Sequence, residues 1–454
     1  MAQQRAVKVL QVFSVAPPAE TTGCPAPTSL PLTFFDILWL RFPPVKRLFF
    51  YEFPHQTSFF DSLLPRLKLS LSLTLQHYLP FAGNLVWPHD APKPFIRYVA
   101  GDSLPLTIAE SDADFNVLSG TDPCEAAEYH HLISHLTVSH EQASVSALQI
   151  TLFPSSGFSI GITTHHAAFD GKTSTSFMKS WAYIFSNLES FSSPPPLPDH
   201  LIPFYDRSVI KDSEGIEEIY LKFLLDQGGP NNKSVMVWDF DHNIPAEATR
   251  STFEFTPSHL QKLKQKAECK LKNKARLSTF SVTLGYVTAC TVKAEQTEND
   301  TVAFSFSVDC RSRLEPPIPP SYFGNCIGGL VFGTEKEKLL ADDGFVAAAE
   351  VISENLITVG NGLKGAETWP SILESLGKNN KVISTAGSPR FEVYSVDFGW
   401  GRPKKVEIIS IDRTGAFSFA ESKHGNGGIE IGLVLKKSQM EAFADHFTKG
   451  LESI

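Results

Sequence analysis

The stretch 155–171 constrains the fold most, because its pattern changes from strand to helix across a pair of histidines. Within 158–163, apolar residues alternate with small or polar ones, which is the period-2 pattern of a half-buried β-strand. From Phe177 onward, apolar residues recur at helical spacing. The stretch therefore predicts a strand that delivers His165 and His166 to an element end, where a rigid scaffold can present a side chain to a cleft.

His166 is the candidate catalytic residue of this stretch. An imidazole has an ordinary pKa near 6.5, so it suits proton removal near neutral pH. Asp170 follows four residues later, but that spacing alone carries little information, since a chain with 14 histidines produces it readily by chance. The position of His166 between a predicted strand and a predicted helix carries more information than the spacing. A buried structural histidine remains the alternative at this point.

Two other motifs in the stretch are rejected. Gly157-Phe-Ser159-Ile-Gly161 matches the nucleophile elbow of hydrolases, yet that motif needs a sharp turn at the serine, and the strand pattern continues past Ser159. The adjacent His165 and His166 could suggest a metal site. Neighbours on a strand point to opposite faces, and further ligands at metal spacing do not follow nearby, so we expect no metal.

Composition and charge exclude several classes of protein. With 454 residues the chain is too long for one ordinary core, and two domains are expected. The net charge of -9 argues against nucleic-acid binding, and no apolar stretch is long enough to span a membrane. The first ten residues lack the apolar core of a signal peptide, and the six cysteines are scattered as free thiols would be in a reducing compartment. We therefore expect a cytoplasmic monomer.

Local patterns predict the other elements. In the first half they indicate a strand at 7–13, a core-facing helix at 58–79 that includes Phe60, and a hairpin joining 145–153 to 158–164. The segment 187–203, rich in serine and proline, is the best linker candidate. In the second half they indicate helices at 257–273 and 345–357, strands at 302–308, 391–396, 405–411, 416–420 and 429–435, and a terminal helix opened by a capping box at 438–441.

The helix predicted at 257–273 is basic, although the protein is acidic. Lysines dominate it, Lys264 among them, with Glu268 as the single acid. A solvated charged face is the simpler interpretation, and an anion site is the alternative. Ser278 and Thr279 follow as a predicted helix start, whose free N–H groups also favour anions.

Three motifs together carry a family resemblance. They are His166-Ala-Ala-Phe-Asp170-Gly171, Ser321-Tyr-Phe-Gly-Asn-Cys326 and Asp397-Phe-Gly-Trp-Gly401, in this chain order. In order and spacing the chain resembles the plant BAHD acyltransferases along essentially its whole length. The Tyr-Phe-Gly-Asn-Cys element, with Leu-Thr-Phe-Phe-Asp-Ile-Leu-Trp-Leu near the start, resembles the branch of anthocyanin, flavonoid and phenolic glucoside malonyltransferases.

The resemblance implies an α/β fold of two chloramphenicol-acetyltransferase-like domains, each of mixed sheet plus helices, with a solvent channel between them. Residues 1–200 would form the N-terminal domain with the histidine motif, and 201–454 the C-terminal domain with the Tyr-Phe-Gly-Asn-Cys motif. The segment 380–402, which carries Asp397, is expected to cross back and pack with the first domain. Acyl-CoA and the acceptor would enter from opposite mouths and meet at His166.

The resemblance also implies roles for individual residues. His166 would be the general base, while Asp170 would orient the site with Arg311 or Arg313 as its partner. Asp397 belongs to the family's essential residues, although its setting among Gly and Trp suggests a structural turn. The residues expected to bind CoA are Lys264, Ser278 and Thr279.

The expected reaction is transfer of malonyl from malonyl-CoA, a co-substrate, to a sugar hydroxyl (the 6''-OH) of a phenolic or flavonoid glucoside. Lys172 is the expected ligand of the malonyl carboxylate, because an unpaired charge in a closed channel would be costly. An exposed lysine on a helix end is the alternative for Lys172. Arg41, Lys46 and Arg47 form a further basic cluster to which no role is assigned. The alternative functions are hydroxycinnamoyl or acetyl transfer, and a non-catalytic binding protein on the same fold.

Overall fold

The structure, a computed structural model, describes residues 7–19, 26–53, 59–190, 195–239, 244, 247–271, 277–296, 299–360, 363, 365–375 and 381–454. Its strands are β1 Val7–Val15, β2 Ser29–Pro31, β3 Val45–Glu52, β4 Asn84–Val86, β5 Phe95–Arg97, β6 Leu104–Ser111, β7 Cys124–Glu125, β8 Gln142–Ser144, β9 Ser146–Phe153, β10 Gly157–Thr164, β11 Ala248–Phe255, β12 Thr301–Asp309, β13 Ile327–Glu335, β14 Lys381–Gly387, β15 Lys405–Ile408, β16 Phe417–Glu421 and β17 Ile429–Lys436.

Helices cover these strands. They are α1 Phe34–Ile37, α2 Leu64–His77, α3 Leu79–Ala82, α4 Phe115–Leu118, α5 Ala127–His130, α6 Gly171–Asn187, α7 Ile216–Asp226, α8 Pro257–Lys270, α9 Thr279–Glu295, α10 Lys336–Leu340, α11 Gly344–Thr358, α12 Trp369–Ser375, α13 Ile411–Thr414 and α14 Lys437–Glu452. Within the ranges given above, no helix is both long and apolar enough to cross a bilayer.

The first sheet has the strand order β1-β6-β9-β10-β3-β15, with the expected hairpin between β9 and β10. Every residue of β10 is buried, so the expectation of a half-buried strand is wrong. The apolar face of β10 packs into the main core, while its other face is covered by Leu132 and Ile133. This face leaves no room for a side chain at Gly161, because a Cβ there would lie 2.6 Å from the carbonyl oxygen of Leu132.

The second sheet has the order β13-β12-β14-β16-β17-β11-β7, and α9 and α14 pack in its core. The predicted inward residues of α14 are buried, namely Met440, Phe443, Phe447 and Leu451. The predicted capping box at 438–441 is wrong by two residues. The helix begins at Lys437, and the Gln439 side chain accepts a hydrogen bond from the backbone N–H of Lys436.

Three further local predictions are wrong. The strand predicted at 391–396 is a pair of 3₁₀ turns, Pro389–Phe391 and Val393–Ser395, separated by Glu392, whose φ of 52° interrupts an extended chain. The predicted strand 405–411 ends at Ile408, because α13 follows. Phe60 lies in a single π-helical turn before α2 and is 43% exposed, so it does not face the core.

Each large sheet includes a strand from the other half of the chain. β15, from the C-terminal half, pairs with β3 at the edge of the first sheet, and β7, from the N-terminal half, pairs with β11 at the edge of the second. Just before β15, Phe398 and Trp400 stack on each other and pack against aromatic residues of the first half, namely Tyr51, Phe158, Trp181 and Phe185. The segment at 397–408 therefore belongs structurally to the first sheet, whereas β14 belongs to the second.

A buried ionic cluster joins the two sheets at this exchange. Arg250 of β11 donates to a carboxylate oxygen of Glu407 on β15 at 2.7 Å and also pairs with Asp412 of α13. Lys405 lies 3.3 Å from Glu407, and Thr252 donates to the same carboxylate at 3.1 Å. Burial opposes ionisation of Glu407, but Lys405 and Arg250 hold its pKa below the ordinary value. The carboxylate is therefore charged at neutral pH and balances two buried cations.

We expect Glu407→Ala to lower the free energy of unfolding by about 3–5 kcal/mol, because it leaves buried Lys405 without its anion and removes one of the two anions of Arg250. The measurement is urea unfolding followed by circular dichroism. Asp445→Ala is the matched control, since it removes the carboxylate of an exposed ion pair with Lys449 and should cost less than about 1 kcal/mol. Equal stability of the two variants would contradict a structural role for the cluster.

Candidate active site

A cavity of about 1620 Å³ lies between the first and second sheets. Residues from both halves of the chain line it. The first half contributes Trp39, Arg47, His166, Asp170, Gly171 and Lys172, and the second half contributes, among others, Ser278, Thr279, Ser307, Asp309, Arg311, Ser384 and Phe419. Such a volume is large enough for an extended ligand and a second, smaller one.

His166 is placed on the cavity wall by the turn between β10 and α6. The backbone N–H of His165 donates to the carbonyl of Val145 at 2.8 Å, which holds the end of β10 in place. The His166 imidazole stacks on the indole of Trp39 at 4.1 Å, with an angle of 10° between the rings. The ring plane is therefore fixed before any substrate binds.

The two adjacent histidines have different surroundings. His165 is fully buried away from the cavity, and burial together with the neighbouring His166 lowers its pKa to about 3. Its Nδ1 accepts a hydrogen bond from the N–H of Ala167 at 3.3 Å. His165 is thus a neutral structural residue, and His166 is the member of the pair that lines the cavity.

Burial also lowers the pKa of His166. The backbone carbonyl of His166 itself, Asp170, Asn325 and Asp36 oppose that effect, because each favours the protonated ring. The net direction is downward, so the imidazole is neutral at neutral pH. A neutral imidazole in a cavity can accept a proton from a bound hydroxyl group.

Asp170 connects three segments of the chain beneath His166. As the N-cap of α6, its Oδ1 accepts from the N–H of Thr173 at 3.1 Å. Its Oδ2 accepts from the N–H of Cys326 at 3.2 Å and pairs with Arg311 at 2.9 Å. Both oxygens of Asp170 are therefore engaged in fixed interactions.

The partner of Asp170 is Arg311, whereas Arg313 donates instead to the carbonyl of Gly360. Arg311 also donates to the carbonyls of Tyr322 and Gly324, so it holds the Tyr-Phe-Gly-Asn-Cys loop against α6. Burial alone would lower the pKa of Arg311, but Asp170 and Asp309 hold it above the ordinary value.

A second polar network was not predicted from the sequence. Asp36 is fully buried and accepts from both the backbone N–H and the side-chain amide of Asn325, at 2.8 and 3.0 Å. The same amide donates to the carbonyl of His166 at 2.9 Å, and Arg207 lies 3.4 Å from Asp36. The only signal in the sequence was that Asp36 and Asn325 each lie within a motif shared with the family.

Comparisons with known proteins agree with this arrangement. The model of the Transferase family matches residues 14–449. Phenolic glucoside malonyltransferase 1 of Arabidopsis thaliana is 40% identical over 99% of both chains. Malonyl-CoA:anthocyanidin 5-O-glucoside-6''-O-malonyltransferase of the same plant is also 40% identical, over 98% of this chain and 99% of the relative. A BAHD acyltransferase of that plant is 37% identical over 98% of this chain and 99% of its own length.

The chain is a BAHD acyltransferase. Solved structures show the same fold. Vinorine synthase has a TM-score of 0.66 at 16% identity and covers 96% of each chain. F. graminearum TRI101, crystallised with coenzyme A and T-2 mycotoxin, has a TM-score of 0.68 at 13% identity and covers 93% of this chain and 98% of its own. The expected α/β fold of mixed sheets and helices around a central cavity is confirmed.

Asp397 of this BAHD acyltransferase does not line the cavity that holds His166. It is exposed, and its Oδ1 accepts from the backbone N–H groups of Gly399 and Gly401 at 2.7 and 3.0 Å. Both glycines have positive φ, so the carboxylate closes a tight turn. This turn positions Phe398 and Trp400 in the aromatic cluster, and a direct catalytic contact for Asp397 has no support in the geometry.

The residues expected to bind CoA fall into two groups. Ser278 and Thr279 line the cavity, and Ser278 is the N-cap of α9, with its hydroxyl accepting from Ser281 at 3.0 Å. Lys264 does not line the cavity and lies 4.0 Å from Glu268 on the same helix. Of the other lysines, Lys272 and Lys274 lie outside the described residues. The predicted CoA-binding roles stay predictions.

Lys172 lines the cavity, but it already has an anionic neighbour. Its Nζ lies 3.3 Å from a carboxylate oxygen of Asp309, and its side chain is 34% exposed.

Of the unassigned basic cluster, Arg41 donates to the carbonyls of Gln227, Asn232 and Ser234 and so fixes that loop, while Arg47 lines the cavity. Among the residues that the structure describes, no group of His, Cys, Asp and Glu could hold a metal ion.

We expect Asp170→Ala to lower the free energy of unfolding by about 3–5 kcal/mol, because Arg311 would be left buried without its main anion. Asp309→Ala removes the more exposed second partner of Arg311 and should cost less than about 1 kcal/mol. Asp397→Ala should also lose activity because less of the protein is folded, with a smaller fall in the free energy of unfolding than for Asp170→Ala. Thermal melting is compared with activity per folded molecule. Unchanged melting together with abolished activity would show that these carboxylates act in the chemistry.

Proposed function

We propose that this protein transfers a malonyl group from malonyl-CoA to a sugar hydroxyl of a phenolic glucoside, such as a flavonoid or anthocyanin glucoside, with the 6''-OH as the acceptor position. The observation that carries the proposal is the position of His166, a neutral, half-buried imidazole that faces a large cavity between the two sheets. The full-length identity of 40% to two malonyltransferases that are named for glucoside substrates supports the choice of donor and acceptor.

The surroundings of His166 favour one tautomer. Nδ1 of His166 and Oδ1 of Asn325 are both buried, and neither meets hydrogen-bond geometry with any other described atom. Asn325 is held beside the histidine because its amide nitrogen donates to the carbonyl of His166 at 2.9 Å. In the proposed site the proton resides on Nδ1, with Asn325 Oδ1 as its neighbouring acceptor, and Nε2 is the basic atom.

The proposed reaction needs no covalent enzyme intermediate. Nε2 of His166 takes the proton of the sugar hydroxyl as its oxygen attacks the thioester carbonyl. Collapse of the tetrahedral intermediate breaks the C–S bond, and the CoA thiolate leaves and takes the proton from the imidazolium. Ser159 cannot act as a nucleophile from its place in the middle of β10, where it is fully buried. General-base catalysis supplies about 10²–10⁴-fold, so positioning both substrates must supply the rest.

The two halves of the cavity would position the two substrates. In the proposed complex acyl-CoA enters beside Ser278 and Thr279, at the start of α9, and the acceptor enters from the opposite mouth. The N-terminal end of α9 offers N–H groups that suit an anionic group of CoA. We also propose that the protein is a monomer and that it is cytoplasmic. Its free cysteines support the choice of a reducing compartment, namely Cys124, Cys269, Cys290, Cys310 and Cys326.

Hydroxycinnamoyl transfer is the second candidate. An agmatine coumaroyltransferase of Arabidopsis thaliana is 36% identical over 98% of this chain and 99% of its own length, close to the values for the malonyltransferases. Comparing turnover with malonyl-CoA, acetyl-CoA and p-coumaroyl-CoA on one flavonoid glucoside separates the candidates. A clear preference for p-coumaroyl-CoA would reject the malonyl proposal.

We expect His166→Ala to lose at least about a hundredfold in kcat while it remains folded. His89→Ala removes an exposed histidine and serves as the control, with no change in kcat. Circular dichroism and melting verify the fold of both. Near-normal turnover in a well-folded His166→Ala variant would remove this residue from the mechanism, and the absence of turnover in the unmodified protein with every acyl-CoA would favour a non-catalytic binding protein.

The pH dependence of kcat/KM tests the protonation state of His166. Because burial lowers its pKa, the neutral, active form should persist as the pH falls below 6.5. Activity should then be lost only when the pH passes through the lowered pKa. The measurement is kcat/KM from pH 4.5 to 9 at constant ionic strength. An acid limb centred above 6.5 would show that the free enzyme's imidazole is protonated at rest.

A further inference from the structure

Arg47 stands in the cavity wall beside the start of α6. It lies on β3, opposite Ile162 of β10 on one side and Ile408 of β15 on the other. Its Nη2 is 3.5 Å from the position that a Cβ on Gly171 would occupy. Gly171 directly follows Asp170, so the guanidinium approaches the turn that carries His166.

The guanidinium is buried, and no carboxylate contacts it in the part of the chain that the structure describes. Arg47 is 3% exposed, and its one hydrogen bond in the described part of the chain runs from Nη1 to the hydroxyl of Thr175 at 2.7 Å. Its Nε is buried and has no partner. Burial lowers the pKa of Arg47 to about 10, and Glu421 opposes that shift from beyond ion-pair distance. The group nevertheless remains charged at neutral pH.

Each of the other interior arginines contacts an anion or several backbone carbonyls, although some of their nitrogens also lack a partner in the described part of the chain. Arg250 pairs with Glu407 and Asp412, Arg311 pairs with Asp170, and Arg207 pairs with Asp36. Arg41 donates to three backbone carbonyls. Among the described residues Arg47 therefore lacks a contacting anion, and unlike Arg41 it lines the cavity. A buried cation is costly without an anion, and the planar fork of arginine suits a carboxylate.

We propose that Arg47 binds the terminal carboxylate of the malonyl group and thereby selects this donor over neutral acyl groups. The inference rests on the proposed function. In malonyl-CoA the carboxylate is attached to the carbon next to the thioester carbonyl, so its ligand must lie near the catalytic base. The phosphates of CoA are separated from the thioester by the pantetheine arm, and a glucoside acceptor is neutral, so neither competes for this position.

Lys172 is less suited to this role. It lies one residue beyond Gly171 and could reach the same region, but Asp309 already neutralises it at 3.3 Å. Its partial exposure also weakens any interaction with a carboxylate. Arg47 combines burial, an unfilled donor set and a place in the same wall as His166.

The test compares kcat/KM for malonyl-CoA and acetyl-CoA in four variants. For Arg47→Met the ratio of kcat/KM for malonyl-CoA to kcat/KM for acetyl-CoA should fall at least about thirtyfold. For Arg47→Lys the ratio should fall by less, because lysine keeps the charge but lacks the planar fork of arginine. For Lys172→Met and for Arg66→Met, which removes a cation remote from the cavity, the ratio should change by less than about threefold. Thermal melting accompanies each variant.

A second measurement separates binding from turnover. In the His166→Ala background malonyl-CoA is not consumed, so calorimetry can report its affinity with and without Arg47. Adding Arg47→Met should weaken malonyl-CoA binding at least about tenfold more than acetyl-CoA binding. This readout remains valid if the variant turns over too slowly to measure.

Three results would overturn the assignment of Arg47. These are equal use of malonyl-CoA and acetyl-CoA by the unmodified protein, equal losses with both donors in Arg47→Met, and a fall in the ratio confined to Lys172→Met. Each leaves acyl transfer by His166 intact. No transfer from any acyl-CoA by the unmodified protein is a different result, because it would reject the proposed function and the role of Arg47 with it.

Discussion

The ion pair between Asp170 and Arg311 is the interaction on which the site depends. It joins the N-terminus of α6, the segment after β12 and the loop 321–326, and the first two of these line the cavity. A buried pair of this kind adds little net stability, because desolvation offsets the Coulomb attraction, but it fixes the relative positions of the segments that it joins. The His-x-x-x-Asp spacing is thus a structural linkage. Among the described residues Asp170 interacts with Thr173, Cys326 and Arg311, and it makes no hydrogen bond to the His166 ring.

Local patterns in the sequence predicted many of the longer helices and strands, and the errors have physical causes. The alternation in β10 was visible, but the burial of its second face depends on Leu132 and Ile133, which no local window includes. The predicted strand at 391–396 was apolar enough to be extended, yet the positive φ of Glu392 turns the chain there. The exchange of β7 and β15 between the sheets depends on tertiary packing, which strand propensity cannot predict.

The residues of the candidate site also differ in how far the sequence could predict their positions. His166 was predictable because a strand, a turn and a helix follow one another within a short stretch. The contact between Asp36 and Asn325 spans 289 residues, so only shared motifs could point to it. The basic cluster of Arg41, Lys46 and Arg47 was visible as charge, but sequence could not say which member lines the cavity. In the structure Arg41 fixes a loop, whereas Arg47 remains without an anion in contact.

The charges around His166 are compatible with its proposed role as the base. Burial favours the neutral ring, which is the form that must be present before reaction, while Asp170 and Asp36 favour the imidazolium that forms as the hydroxyl loses its proton. Asp170 is paired with Arg311 and Asp36 with Arg207, and their effect on the pKa of the ring is smaller than that of burial. The two effects together place the pKa of the base below its ordinary value without making the protonated state prohibitive, and a base of this kind suits proton transfer near neutral pH.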